Sequence, residues 1–172
     1  KDAPPKKGHV TFINLPTSDK NKAEYSKNRS RYNSFSRAEV IKIIDEINDA
    51  FHDRKLSIGI VCPYRQQIID YNIDLENIEN LRHEIITGTI HTFQGSECDI
   101  IIWDIVDTLN DPIGLLYKGK TGERLVNVAI SRAKSKLIIV GDHRVFHDCE
   151  GRDLVSYKIK RIVDNAWEMS PK

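Results

Sequence analysis

The feature that most constrains the fold is the run from Ile100 to Trp103 (IIIW), which is apolar at every position. A strand with one face in water alternates apolar and polar residues, whereas an unbroken apolar run is typical of a strand covered on both faces. Helices on the two faces of a parallel sheet provide such cover. Further apolar runs predict a set of strands at residues 10–15, 58–62, 85–90, 100–106 and 137–140.

Helical patterns fall between these strands. Ser36 and Glu39 have the spacing of a capping box, so a helix is predicted to begin near Ser36. Its apolar residues recur at helical intervals, at Val40, Ile44, Ile47 and Phe51. Further helices are predicted at residues 65–76, 123–134 and 151–167. The alternation of strands and helices predicts an α/β fold with an open, mostly parallel sheet and helices on both faces.

The length of the chain, 172 residues, is typical of one domain. Residues 1–8 contain two prolines, a glycine and three lysines, and are predicted to form a linker or a disordered lead-in before a domain at residues 9–172. The chain begins with lysine rather than methionine, which we interpret as the sign of a fragment. Residues 16–34 are polar and rich in lysine and arginine. We interpret them as a solvated surface loop, with a basic loop that faces nucleic acid as the alternative.

Charge and cysteine content restrict the class of protein. The formal net charge is +1, so a case for nucleic acid must rest on local sites. Cys62, Cys98 and Cys149 form no CxxC pair. This excludes a zinc module local in sequence and favours a reducing, cytoplasmic compartment. No apolar run approaches the roughly 20 residues that cross a bilayer, so no membrane partner is expected.

Ligands of an open α/β sheet bind beyond the carboxyl ends of its strands, so residues that follow strands are the first candidates for a site. The segment PYRQQ, Pro63 to Gln67, follows the strand at 58–62. Arg65 or a glutamine could meet a phosphate or a base there. A proline that ends a strand before a helix accounts for the same residues, and on this segment alone it is the better explanation.

The segment TIHTFQGSE, Thr89 to Glu97, holds several polar groups next to the flexible Gly95. Gln94 can both donate and accept, and the Glu97 carboxylate suits a ribose hydroxyl or a water molecule. Thr89 and His91 lie two residues apart on an extended strand, so both can donate to one phosphodiester. A polar turn with a structural glycine is an equal alternative.

The segment from Glu123 to Lys134 is predicted to be an amphipathic helix that carries Arg132 at the edge of its polar stripe. An arginine held on a rigid helix can serve as a fixed cation for developing phosphate charge. A solvated helix face is the alternative. The buried strand that follows at once favours the functional interpretation, because helix and strand termini would meet at one edge of the sheet.

Taken in order, these three segments resemble the C-terminal motifs of superfamily 1 helicases, and most closely the branch with the nonsense-mediated-decay RNA helicase and related DNA helicase-nucleases. IGIVCPYRQQ is similar to the segment IGI-x-x-PY-x-x-Q of that family. TIHTFQGSECDIIIWDIV resembles motif V, with its core FQG-x-E, and RLVNVAISRAKSKLIIVGD resembles motif VI, with its core LNVA-x-[ST]RA. The resemblance spans residues 36–142 and implies a RecA-like domain.

The resemblance also implies roles for individual residues. Arg132 matches the arginine finger of motif VI, which reaches the γ-phosphate across a domain interface. The residues implied to lie at the nucleotide are Gln67, Gln94, Gly95 and Glu97. The residues implied to touch the nucleic-acid backbone are Thr89 and His91.

Several parts of a complete helicase motor do not occur in this sequence. It contains no acidic metal-binding motif and no QYR segment, and its one match to GxxxxGK[ST], GLLYKGKT at residues 114–121, lies between the motif V and motif VI segments instead of ahead of all three. Residues 109–123 are longer and richer in glycine and lysine than the usual loop before motif VI. The resemblance therefore implies the second motor domain of an ATP-dependent DNA or RNA helicase. ATP with Mg²⁺ would be bound mainly by a first RecA-like domain of the same protein, single-stranded DNA or RNA would be the partner, and the chain alone would be inactive.

Two other functions compete with this one. The first is a non-catalytic RecA-like module for binding or scaffolding. The intact Gln94, Glu97 and Arg132 speak against it, because all three would be free to drift in such a module. The second is a stand-alone enzyme for a small molecule, which ranks last because the sequence has no evident nucleophile–base pair or metal-ligand cluster.

Overall fold

The computed structural model describes residues 9–16, 18–89, 91–93, 95–108, 119–147, 161–162 and 167–169. The predicted lead-in at residues 1–8 lies outside them. The elements of the described residues are, in chain order, β1 (Val10–Asn14), β2 (Glu24–Tyr25), β3 (Arg31–Tyr32), α1 (Ser34–Ala50), β4 (Ser57–Val61), α2 (Arg65–Glu76), β5 (Glu84–Gly88), β6 (Cys98–Asp104), α3 (Gly119–Ser131), β7 (Ala133–Gly141), α4 (Arg144–His147) and β8 (Trp167–Met169).

Six of these strands form one sheet in the order β5-β4-β6-β7-β1-β8, and every neighbouring pair is parallel. In the middle of the sheet, Ile101 of β6 lies opposite Gly59 of β4 and Leu137 of β7. Because the strands run the same way, they all begin at one edge and end at the other. We call these the amino edge and the carboxyl edge.

Both faces of the sheet are covered. The residues of the IIIW run in β6 are 7%, 0%, 0% and 0% exposed. On one face, Val40 of α1 and Tyr71 of α2 belong to a single apolar cluster with the sheet. On the other face, Leu125 and Ala129 of α3 pack into a second cluster. The predicted α/β fold, with a parallel sheet between helices, is therefore confirmed.

Most of the predicted strands and helices are present, but the bounds of several differ from the prediction. Helix α2 begins and ends at the predicted residues. Helix α3 ends at Ser131, so Arg132 follows the helix instead of lying on it. The helix predicted at 151–167 falls mostly outside the described residues, and its predicted end is wrong, because Trp167 begins β8 and pairs with Thr11 of β1.

Helix α1 begins earlier than the capping-box spacing predicts. Asn33 is the N-cap, and its Oδ1 accepts from the backbone N–H groups of Phe35 at 3.0 Å and Ser36 at 3.1 Å. Asparagine is among the strongest N-cap residues, so it satisfies donors that would otherwise lack a partner. The Ser36 hydroxyl instead donates to a carboxylate oxygen of Asp104 at 3.2 Å. The prediction of a capping box at Ser36 is therefore wrong.

The segment 16–34 is not simply the solvated loop that its composition predicts. It contains the antiparallel pair β2–β3, in which Tyr25 lies opposite Arg31. Asn21, Arg31 and Asn33 are buried, at 1%, 7% and 1% exposure. Polar side chains are buried at little cost when they are hydrogen-bonded, and each of these three forms such bonds.

The described part of the chain contains neither a candidate membrane span nor a candidate metal cluster. None of its helices combines the length and the apolar character that crossing a bilayer requires. No cluster of three or more His, Cys, Asp or Glu side chains arranged to hold a metal ion occurs among these residues.

Candidate functional site

The predicted site residues are divided between the two edges of the sheet. Thr89 follows β5 at the carboxyl edge, whereas Glu97 and Arg132 directly precede β6 and β7 at the amino edge. Seven residues of β6 separate the edges, a distance of about 20 Å at the usual rise per residue. Of these three residues, only Thr89 lies beyond the carboxyl end of a strand, and Glu97 and Arg132 lie at the opposite edge. The prediction that Thr89 and His91 share an extended strand is wrong, because β5 ends at Gly88 and the N–H of Thr92 donates to the carbonyl of Thr89 at 3.0 Å in a turn.

At the amino edge, the motif V and motif VI segments are held side by side. The backbone N–H of Cys98 donates to the carbonyl of Arg132 at 2.9 Å, and the first paired residues of β6 and β7 follow at once. The N–H of Arg132 in turn donates to Val128 of α3 at 3.1 Å, which continues the helical bonding pattern one residue past the helix. The backbone of Arg132 is thus fixed from both sides, next to the exposed Glu97.

The side chain of Arg132 is half-buried, and its Nε is buried without a hydrogen-bond partner. No ion pair of Arg132 occurs among the described residues. A buried donor without an acceptor is costly in a folded protein, and more so on a charged group. An anion that reached this guanidinium would relieve that cost.

Residues 89–97 carry the chain from the carboxyl edge of β5 back to the amino edge of β6. Phe93, fully buried, anchors the middle of this crossover segment. It packs on Gly59 of β4, where a Cβ would lie 2.6 Å from the phenyl ring. Gly95 has φ +84 with open space around it, a conformation that favours glycine. His91 is exposed, and Gln94 lies outside the described residues.

A buried polar cluster, the carboxyl-edge network, consists of Asn33, Ser36, Gln67, Tyr71 and Asp104. Its centre is the fully buried Asp104 carboxylate, which accepts from the Tyr71 hydroxyl at 2.6 Å and from Gln67 Nε2 at 2.7 Å. Burial raises the pKa of Asp104, although the bonds from Tyr71, Gln67 and Ser36 act to lower it. Burial, followed by the charge of Asp104, also raises the pKa of Tyr71.

Gln67 is committed to this network at both ends of its carboxamide. Its Nε2 also donates to the carbonyl of Asn33 at 3.0 Å, and its Oε1 accepts from the N–H of Asn33 at 2.9 Å. The side chain is 0% exposed. The structure therefore does not bring Gln67 together with Glu97 and Arg132, and its predicted contact with a nucleotide stays a prediction. Its hydrogen bonds join α2 to the start of α1 and to the carboxyl end of β6.

Beyond β6, the backbone makes a strained turn at Val106. This β-branched residue has φ 66, and the N–H of Asp107 bonds to the carbonyl of Ile105 at 2.7 Å, as in a γ-turn. Such strain persists only where the surroundings enforce it. Here Val106 N–H donates to Asp104 at 3.0 Å and its carbonyl accepts from Asn33 at 3.0 Å.

The turn directs Asp107 at Arg31. Their ion pair has an N–O distance of 2.7 Å and is almost wholly buried, and the Tyr64 hydroxyl donates to the same carboxylate at 2.8 Å. Burial and the charge of Asp107 raise the pKa of Tyr64. The segment 16–34 is thereby tied to the carboxyl end of the central strand.

Sequence reasoning did not single out Arg31, Asn33, Asp104 or Asp107. The sequence did contain a signal for the two aspartates. Asp104 ends the most apolar strand and Asp107 follows it, and ligands of α/β sheets bind at the carboxyl ends of strands. For Arg31 and Asn33 the local sequence offered none, since both sit in a segment of polar and basic residues.

Comparisons with known proteins place these features in a family. The AAA domain family matches residues 1–144. The chain is 30% identical over 135 residues to DNA polymerase alpha-associated DNA helicase A of Saccharomyces cerevisiae, covering 74% of this chain and 18% of that protein. It is 40% identical over 89 residues to DNA replication ATP-dependent helicase/nuclease DNA2 of Gallus gallus, covering 51% and 8%. It is 32% identical over 124 residues to RNA helicase Mov10l1 of Mus musculus, covering 67% and 10%. The chain thus spans less than a fifth of each relative.

Proposed function

Because the chain belongs to the AAA domain family and is a superfamily 1 helicase domain, related to the branch with the nonsense-mediated-decay RNA helicase and DNA helicase-nucleases, we propose that it is the second motor domain of an ATP-dependent DNA or RNA helicase. In this proposal ATP and Mg²⁺ are held mainly by the first RecA-like domain of the same protein. The chain contributes Arg132 as arginine finger and part of the track for a single strand.

The observation that carries the proposal is the unpartnered Nε of Arg132 beside Glu97 at the amino edge. This pair suits a nucleoside triphosphate, since the guanidinium fits a phosphate and the carboxylate fits a ribose hydroxyl or a water. Bound ATP supplies the phosphoryl group whose hydrolysis drives the motor. Arg132 neutralises charge on the γ-phosphate oxygens, and its fixed backbone keeps that cation in position without reorganisation.

The crossover segment gives this function a physical link between its two ligands. Thr89 and His91 at its carboxyl-edge end donate to a phosphodiester, a contact that carries no base sequence information. Glu97 at its other end faces the nucleotide. Phe93, buried between them, packs on Gly59 of β4, so both ends of the segment are attached to the same central strands of the sheet. Contacts made by ATP only in the closed motor then favour closure.

Turnover of ATP tests the proposal in the protein that carries both motor domains. Arg132→Ala should lower the nucleic-acid-stimulated rate by about 10³ to 10⁵, the range found for arginine fingers. The KM for ATP should change much less, because ground-state contacts come mainly from the first domain. Arg132→Lys should restore little, since an ammonium lacks the planar fork of a guanidinium.

Arg124→Ala is the matched control, because Arg124 is an exposed arginine on the adjacent helix α3. It should leave turnover nearly unchanged. Equal, near-normal rates for both alanine variants would refute the arginine-finger role and favour a non-catalytic RecA-like module.

The 172-residue chain by itself is expected to hydrolyse no ATP. Its one match to GxxxxGK[ST], at residues 114–121, lies between the motif V and motif VI segments, and the sequence contains no acidic metal-binding motif to accompany a phosphate loop. A coupled-enzyme assay on the purified chain measures this. Turnover above background that disappears in Arg132→Ala would show a complete active site within this chain, contrary to the proposal.

A further inference from the structure

Tyr25 is an exposed aromatic residue whose position is nevertheless fixed. It lies on β2, and 57% of its surface is exposed. Both Nε and Nη2 of Arg31 donate to its hydroxyl oxygen, at 3.0 and 2.7 Å. The Arg31 guanidinium also lies 5.2 Å from the centre of the Tyr25 ring. An exposed tyrosine without such bonds would sample several rotamers. These bonds fix the orientation of the Tyr25 ring while its outer surface stays open to solvent.

The support behind Tyr25 extends into the core. The third guanidinium nitrogen of Arg31 donates to Asp107 at 2.7 Å, and the guanidinium also lies 5.8 Å from the ring of the buried Tyr64. Asp107 is itself aimed by the strained turn at Val106. Tyr25 is thus connected through one buried arginine to the carboxyl end of β6. A rigid support of this kind lowers the entropy lost when a ligand binds.

The surroundings of Tyr25 suit a ligand that carries several negative charges and flat rings. Beside Tyr25 lies an open surface hollow of about 590 Å³, whose lining includes Lys27, Tyr32 and Gln66. The hollow also contains Asp70, but that carboxylate is paired with Arg37 at 2.8 Å. Residues 18–30 carry four cationic side chains, Lys20, Lys22, Lys27 and Arg29, against two acids, Asp19 and Glu24.

We propose that Tyr25 is a stacking platform for a base of single-stranded nucleic acid, with Lys27 at a neighbouring phosphate. Aromatic rings bind single strands in this way without regard to sequence, because every base has a flat face. The ion pair between Arg31 of β3 and Asp107, which follows β6, places the β2–β3 pair at the carboxyl edge of the sheet, the edge on which Thr89 also lies. This inference rests on the proposed function for its class of ligand, and it adds a contact outside the three helicase motifs.

The experiment compares base-bearing and abasic strands. Binding of fluorescent oligothymidylate and oligouridylate is measured by anisotropy, alongside an abasic deoxyribose-phosphate strand of equal length, at several salt concentrations. Tyr25→Ala should weaken binding of the base-bearing strands about tenfold and leave binding of the abasic strand unchanged. Tyr25→Phe retains the ring and should keep most of the affinity. Ile73→Ala removes another exposed apolar side chain, on α2, and should have no effect.

Lys27→Ala should weaken binding of both kinds of strand and reduce the slope of log affinity against log salt by about one. Equal loss on base-bearing and abasic strands in Tyr25→Ala would overturn the stacking role, as would unchanged affinity for both. A partner other than nucleic acid at this surface would give that second result. If the unaltered protein binds no strand at all, the stacking site and the single-strand track both fail. The arginine-finger role would still be decided separately by the turnover of Arg132→Ala.

Discussion

The amino and carboxyl edges of the sheet hold their charged side chains in opposite ways. At the carboxyl edge, Asp104 accepts hydrogen bonds from Tyr71, Gln67 and Ser36 and is fully buried. At the amino edge, the Nε of Arg132 is buried without an acceptor, and Glu97 is exposed. Both edges belong to the same two central strands, so the difference arises from the connections and not from the sheet.

The contrast separates positioning from ligand binding. A fully satisfied buried network gains strength from its low-dielectric surroundings and fixes one arrangement of the backbone. A cation left without an acceptor adds little to stability, but it is available to an anion. The carboxyl-edge network therefore holds the fold. In the proposed function that edge also supports the single-strand track, and the amino edge faces the nucleotide. Substitutions at the two edges should accordingly affect different measurements.

The largest effect on stability is expected at the centre of the network. Asp104→Ala removes the acceptor of the Tyr71 hydroxyl and of the Val106 N–H. It also removes one of the acceptors of Gln67 Nε2. It should lower the free energy of unfolding by about 3 kcal/mol, the scale for buried groups that lose their partners. Denaturant titration of the chain measures the change, and an unaltered slope would show that the unfolded state is unaffected.

Arg132→Ala is the comparison from the other edge. It removes a buried donor that has no acceptor, so the free energy of unfolding should stay the same or rise. If Arg132→Ala destabilised the chain as much as Asp104→Ala, Arg132 would be a structural residue, and the division between the edges would be lost.

A smaller effect is expected where the crossover segment is anchored between the edges. Gly59→Ala introduces a Cβ 2.6 Å from Phe93 and from Ile101, and overpacking of this kind costs about 1 to 3 kcal/mol. Gly95→Ala, at the amino-edge end of the segment, meets nothing within 4 Å and strains only a backbone at φ +84. Its cost should be about 1 kcal/mol.

The two glycine variants also sharpen the role of Phe93. Displacement of that ring by Gly59→Ala should reduce stimulation of the ATPase by nucleic acid in the protein with both motor domains, because the segment joins the two sites. A Gly59→Ala protein with normal stability and normal stimulation would show that the packing of Phe93 does not hold the segment.

The sequence predicted the fold better than it predicted the site. The unbroken apolar run of β6 implied a sheet covered on both faces, and α2 begins and ends where its pattern indicated. These features depend on residues close in sequence. The ion pair between Arg31 and Asp107 joins residues 76 positions apart, and no local periodicity reports such a pairing. Polar character alone therefore made the segment 16–34 look solvated.

The arrangement of the site was predicted only in part for a related reason. Motif resemblance identified Arg132 and Glu97, but the general expectation for α/β sheets assigns ligands to residues that follow strands. Both residues precede strands, so they lie at the amino edge of the sheet. Their position depends on where the crossover from β5 to β6 ends, which the motifs do not specify. Gln67 lies on α2 beyond the carboxyl end of β4, where ligands of such sheets are generally expected, but its carboxamide points inward to the buried Asp104 and Asn33.

The smallest expected effect compares the two ends of β6 by their titration. Burial raises the pKa of Asp104 above its usual value, whereas hydrogen bonds from the backbone and hydroxyl of Ser57 lower the pKa of the more exposed Asp99. A raised pKa in the folded state means that folding takes up a proton. The stability linked to Asp104 is then fully present below its unfolded pKa and is lost as the pH rises through the folded value. For Asp99 the stability is present above the unfolded pKa and is lost as the pH falls through the folded value.

The difference in unfolding free energy between the unaltered chain and Asp104→Asn should therefore grow as the pH is lowered from 7 to below 4. The corresponding difference for Asp99→Asn should shrink over the same range. Denaturant titrations of the three proteins across this range measure both trends. If both differences in unfolding free energy changed in the same direction with pH, the pKa of Asp104 would be shifted in the same direction as that of Asp99. The carboxyl-edge network would then hold the charge of Asp104 without cost.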